Sequence, residues 1–129
     1  MTSTALDVVP ICNRHHHCNG ITMIEKLMKV LESGRDSPVL RFSLAKALMD
    51  TRQFEDAAQH LQEAIRQNPD YSAVWAALGE CRERLGDHEG AAAAWIEGVA
   101  VAIRRGDIQA KRQMEVRFRR LQTRSLSAS

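Results

Sequence analysis

The chain has 129 residues, 44% hydrophobic, 26% charged and 5% aromatic, with three prolines and a formal net charge of +2. That length holds one small domain, and no run approaches the roughly 18 consecutive apolar residues of a membrane-spanning helix, so membrane insertion is not expected. The opening stretch has no basic segment, and Asp7 and Pro10 interrupt its short apolar run, so no secretion signal is read there and a cytoplasmic location is expected.

Residues 1–22 carry neither a helical nor a strand period and contain Pro10, Asn13, Asn19 and Gly20, which reads as a disordered leader. Met23, just before the first patterned residue, offers an alternative translation start. The leader holds the one group of residues suited to a metal, Cys12, His15, His17 and Cys18. Thiolates with imidazoles are ligands that zinc prefers, but these are crowded together, whereas paired zinc ligands are separated by a loop of about a dozen residues. No metal and no cofactor are therefore expected. Three cysteines are an odd count, and Cys81 falls in mid-helix, so reduced thiols are expected rather than disulfides.

Thr22 to Glu25 has the form of a capping box opening a helix with Ile24, Leu27, Met28 and Leu31 on one stripe and Gly34 as its stop. Ser37 and Pro38 then read as N-cap and first turn of a helix running to about Thr51. Its partner begins near Phe54 and stops at Asn68 and Pro69, because proline removes a helix donor. Residues 71–85 form the next helix, ended by Gly86, and Asp87 caps a further one reaching about Arg105. Gly106 and Asp107 supply the next stop and cap, residues 107–124 read as a final capping helix with Ala110, Met114, Phe118 and Leu121 inward, and residues 125–129 as a disordered tail. The expected fold class is all-α, about six helices without strand-like alternation, in a single domain over residues 23–124.

Residues 38–71 and 72–105 repeat one another at an offset of 34 residues. Leu44, Ala45, Ala57, Leu61 and Ala64 of the first unit align with Leu78, Gly79, Ala91, Trp95 and Gly98 of the second, large upon large and small upon small. Small residues at fixed intervals let two helix backbones approach, and a helical pair of this size buries its apolar face only by stacking on neighbours. Leu44, Leu48, Leu61, Ile65, Leu78, Trp95 and Val99 are the expected core, with Ala57, Ala64, Ala91 and Gly98 at close helix contacts.

Trp75, Leu78, Gly79, Ala91 and Trp95 in one unit, and Leu44, Ala57, Leu61, Ala64 and Pro69 in the other, resemble the tetratricopeptide repeat family. Arg41, Arg82 and Ile103 depart from its usual aromatic, Tyr and Pro. The resemblance implies a stack of antiparallel helical hairpins and a protein-protein interaction module, whose groove of A helices takes an unidentified protein or peptide. Its groove spacing picks out Val39, Phe42, Lys46, Met49 and Asp50, then Ala73, Ala76, Glu80, Glu83 and Arg84, then Ala110, Met114, Arg117 and Phe118. Phe42 with Met49 is the expected apolar anchor. Members that clamp a chaperone's terminal carboxylate use Lys and Asn residues where this chain has Phe42, Lys46 and Ala77, so that clamp is not expected.

Catalysis is not expected. His60 and His88 stand apart, no nucleophile, base and orienting group converge, and no glycine loop suits a phosphate. Residues 23–103 carry 9 basic and 13 acidic side chains, whereas 104–124 carry 8 basic and 2 acidic. The basic end, including Arg117, Arg119 and Arg120, suits an anionic surface or RNA. Nucleic acid is nonetheless not the favoured partner, because Phe118, expected inside, is the single aromatic of that stretch and leaves no stacking platform. Self-association into a homo-oligomer through the open end of the stack is the remaining alternative.

Overall fold

Caps and left-handed stops set the boundaries of each helix. The computed structural model describes residues 16–128, with side chains described over 22–124, and every regular element among them is helical. The order is α1 (His16–Glu32), α2 (Pro38–Asp50), α3 (Phe54–Gln67), α4 (Ser72–Arg84), α5 (His88–Arg105) and α6 (Ile108–Ala128). Ser37 Oγ accepts the Leu40 N–H at 3.1 Å, and the Asp87 carboxylate accepts the Gly90 N–H at 2.9 Å. Asp107 Oδ1 accepts the Ala110 N–H at 3.2 Å. Each such bond satisfies a donor that the first helical turn leaves open. Gly86, at φ 87°, ends α4 in the left-handed region, and Arg52 holds the corresponding place after α2 at φ 63°, a conformation side chains seldom adopt.

The helices pack as α2 with α3 and α4 with α5, while α1 covers one end of the stack and α6 packs on α5 at the other. One core cluster contains Leu44, Leu48, Leu61, Val74 and Leu78, with Ile24, Leu27, Met28 and Leu31 of α1 laid against it. A second contains Trp95, Ala91, Ala102, Met114 and Leu121, with Trp75, Val99 and Phe118 at its edge. The apolar stripes read for the first and last helices are therefore used as the ends of the stack. Among the expected core residues, Ile65 and Val99 are only half-buried, because each lies at a cluster's margin.

The helix pairs meet where side chains are smallest. A Cβ on Gly79 would fall inside the Trp95 indole, and one on Gly98 would lie 2.7 Å from the Trp75 Cβ and closer still to the Met114 sulfur. The Trp95 Nε1–H donates to the Ala76 carbonyl at 3.3 Å, so the buried indole loses no hydrogen bond. Cys81 is fully buried, and that burial pushes its thiol up to about 12, which leaves it un-ionised and unreactive.

Two helix ends differ from the sequence reading. α1 covers His16–Glu32, so Thr22 and Glu25 lie inside a helix rather than at its first turn. Asn19 and Gly20 each cost a helix less than or about 1 kcal/mol, too little to end one anchored downstream by Ile24 and Leu27. α6 continues past Arg124 to Ala128, since no proline or glycine follows to stop it.

Arg41 occupies the place where the second unit has Trp75, and a polar network replaces the aromatic. Arg41 Nε and Nη2 donate to the two Asp36 carboxylate oxygens, both at 2.9 Å, and Nη1 donates to His60 Nδ1 at 3.0 Å. Arginine only donates, so Nδ1 accepts and the neutral ring carries its proton on Nε2. The Arg41 hydrogen bonds hold Asp36 at about 2, while burial, then the Arg41 charge, lowers His60.

Trp95→Ala is expected to cost about 3–5 kcal/mol of unfolding free energy, and Gly79→Ala about 1–3 kcal/mol through overpacking, both read from urea denaturation. The network also sets the pH response. Both groups are depressed on folding, so each contributes stability above its unfolded pKa that is lost as pH falls through its folded value. The melting temperature should therefore decline as pH drops below about 6.5, and again below about 4. His60→Gln should remove the first decline and leave the second.

Candidate partner-binding trough

α2, α4 and α6 lie side by side as the inner layer of the stack, with α3 and α5 behind them. Phe42 and Lys46 of α2, Ala73, Ala76, Ala77 and Glu80 of α4, and Ala110, Gln113 and Arg117 of α6 line a cavity of about 270 Å³. A depression of about 470 Å³ continues it past Ala73 and Asp107 toward Val39 and Tyr71, and one of about 260 Å³ continues it past Lys46 and Glu80 toward Asp50 and Arg84. Sharing Ala73 and Asp107 on one side and Lys46 and Glu80 on the other, the three adjoin along one face as a shallow trough. The stretch from Val39 to Asp50 is roughly 16 Å long at about 1.5 Å per helical residue, room for about five residues of extended chain.

Phe42 is half-buried and packs against Tyr71, ring centroids 5.3 Å apart. Lys46 is exposed over the middle of the trough and makes no ion pair among the described residues. Val39, 61% exposed, stands at one rim, and Ala73 and Ala76 form the floor. At the other end the Arg84 guanidinium lies 5.7 Å from the Phe54 ring centroid. Met49 is a correction to the expected anchor, because it is 8% exposed and belongs to the core, leaving Phe42 as the accessible aromatic. Met114 is likewise fully buried, and Phe118 packs beside it half-buried.

α6 is the trough's far wall and leaves it open. Its attachment has an apolar part, Met114 lodged against Gly98 and Trp75, and a charged part. Arg117 lies 3.6 Å from Glu80 and Arg124 3.2 Å from Glu83, so two glutamates of α4, of which Glu80 lines the trough and Glu83 does not, neutralise two arginines of the basic end. Arg119 and Arg120 line a shallow depression with Val116, Thr123 and Arg124, so of the three arginines of the basic patch only Arg117 faces Glu80. Two contacts escaped the sequence reading, that of Asp107 with Ser72 and that of Tyr71 with Phe42. Asp107 caps α6 and also accepts the Ser72 hydroxyl at 2.8 Å, tying α6 to α4. Tyr71 braces Phe42, with no periodic signal in the connection after Pro69 to mark it.

Among the described residues no group of three or more His, Cys, Asp and Glu is placed to hold a metal. Cys12 and His15 lie outside the described residues, and His17 and Cys18 fall at the start of α1, outside the range of described side chains. Among the described residues no helix is long and apolar enough to cross a membrane.

The family model for the tetratricopeptide repeat matches residues 42–108. The TPR repeat-containing protein PA0015 of Pseudomonas aeruginosa is 46% identical over 99 residues, covering 77% of this chain and 94% of that protein. The chain belongs to the tetratricopeptide repeat family. The solution structure of protein BPP2914 from Bordetella parapertussis is 38% identical and superposes with a TM-score of 0.72, over 79% of this chain and 89% of the other. The Sgt2 TPR domain of Aspergillus fumigatus, 23% identical, gives a TM-score of 0.74 over 95% and 82% of the two chains and shares the fold. In TPR terms, α2 and α4 are the A helices of two repeats, α3 and α5 their B helices, and α6 stands where a third A helix would.

If apolar packing holds α6, Met114→Ala should cost about 2–5 kcal/mol. Arg117→Ala, which breaks a partly exposed ion pair, should cost no more than about 1 kcal/mol. Urea titrations of the two variants check that order.

Proposed function

We propose that the protein binds a short extended segment of a partner protein along this trough. The observation that carries the reading is a row of three adjoining depressions along the inner layer of a TPR stack. Its floor is made of small side chains, Ala73, Ala76, Ala77 and Ala110, which let a peptide backbone come close. Phe42 offers an apolar wall for one side chain, and Lys46, Gln109 and Gln113, whose side chains make no hydrogen bond or ion pair among the described residues, supply polar groups for a peptide main chain. Main-chain contacts of this kind give affinity, and the wall residues choose the sequence. The buried, unpaired Cys81 suits the reducing cytoplasm that we infer as its setting.

A nucleic-acid role for the basic end has less support, since Arg117 and Arg124 pair with Glu80 and Glu83 and Phe118 packs into the second core cluster.

Selection of displayed random peptides on the folded protein tests the proposal. The peptides recovered should bind at least about tenfold more weakly, some 1.4 kcal/mol, to Ala73→Arg and Lys46→Glu variants that keep the parental circular dichroism. Recovered peptides indifferent to both substitutions would contradict it.

A further inference from the structure

The two repeats serve as controls for one another. On the side of α3 turned away from α2, Gln59, Gln62 and Arg66 are exposed, as a solvated outer surface requires, and Pro69 follows just beyond the helix's end. The residues 34 positions later, on α5, are Ala93, Ile96, Ala100 and Ile103. They are exposed too, Ile96 at 55% and Ile103 at 59%. At about 100° per residue these four fall within an arc of roughly 80°, an apolar stripe where the sister helix is polar. Scattered apolar residues on a surface need no explanation, but a stripe with helical spacing, absent from the equivalent helix, indicates something laid along it.

The charges beside the stripe say what that is. Glu97 and Arg104 stand seven residues apart on one flank, too far to pair with each other, and Arg104 reaches Asp70 at 2.9 Å. Where two copies of α5 run antiparallel across a two-fold axis at Ala100, Ile96 meets the partner's Ile103 and Glu97 meets the partner's Arg104. The same contacts recur by symmetry on the other side of the axis. Ala100 on the axis and Ala93 toward the end allow the backbones to approach. A face that matches itself in both shape and charge is what an isologous interface requires.

We infer that the protein forms a two-fold dimer through the outer face of α5, with a second copy of the chain as the occupant. The contact involves chiefly one helix from each copy and lies at the small end of specific interfaces, so dimer and monomer exchange. Ala91, Trp95, Gly98 and Ala102, the residues of α5 turned toward α4 and α6, lie on the opposite side of the helix. Dimerisation therefore leaves the middle of both troughs, between α2, α4 and α6, open, and a partner with two binding segments gains from an intramolecular second contact.

Sedimentation equilibrium from about 1 µM to 1 mM, the range in which weak interfaces dissociate, tests the inference. The weight-average mass of the parent should rise toward the dimer value. The double substitution Ile96→Gln, Ile103→Gln, which gives α5 a polar outer surface like that of α3, should hold the protein monomeric with an unchanged helical spectrum. Glu97→Arg or Arg104→Glu alone should weaken association at least about tenfold. The two together, made with Asp70→Asn because Asp70 would otherwise repel the new carboxylate, restore opposite charges across the axis and should recover it. A parent that stays monomeric throughout, an association untouched by the isoleucine substitutions, or a charge swap that fails to rescue would each overturn the two-fold α5 interface.

Discussion

Everything in this structure depends on how closely α4 and α5 approach. The Trp95 indole occupies the space that a side chain at Gly79 would need, and its Nε1–H satisfies the Ala76 carbonyl on the facing helix. One aromatic side chain thereby fixes both the distance and the register of the central hairpin. From that register follow the position of Gly98, the pocket that takes Met114, and the alignment of α6 beside α4. Burying so large a side chain without a void or an unpaired polar atom yields several kilocalories per mole, a large share of a small domain's stability.

The trough is a consequence of that stacking rather than an addition to it. The residues of its floor are small because the same helices must sit close together, so packing and partner access are met by one choice of side chain at Ala73, Ala76 and Ala110. Charge then divides the surface. Glu80 and Glu83 take up Arg117 and Arg124, leaving Lys46 exposed over the middle of the trough. The first repeat meets the same architectural demand differently, with an Asp36–Arg41–His60 network where the second has Trp75. The ends of the stack therefore differ in how they respond to acid.

Helix number, helix order, the caps at Ser37 and Asp87, and the contacts of Gly79 and Gly98 were legible in the sequence, because repeat spacing and residue size encode them directly. The start of α1 was not. A Thr-x-x-Glu pattern marks a cap only where the preceding turn is not itself helical, and nothing before Thr22 forces that turn open. Met49 misled because groove spacing and core spacing coincide on the last turn of α2, and burial there depends on the neighbouring helices. The pairing of Arg117 with Glu80 and of Arg124 with Glu83 joins residues 37 and 41 positions apart in sequence. No local pattern carries such a contact. The role of Asp107 was half legible, as a cap but not as a partner for Ser72.

The account's central claim is that α6 is an integral third A helix, locked to the hairpin of α4 and α5 and forming one wall of the trough. Native-state hydrogen exchange measures that directly. The amides around Met114 and Leu121 should open with the same free energy as those around Leu78 and Trp95, at the value of global unfolding. If the α6 amides exchange through a separate, much less costly opening while α4 and α5 stay protected, α6 is a detachable cap and the trough has no permanent far wall.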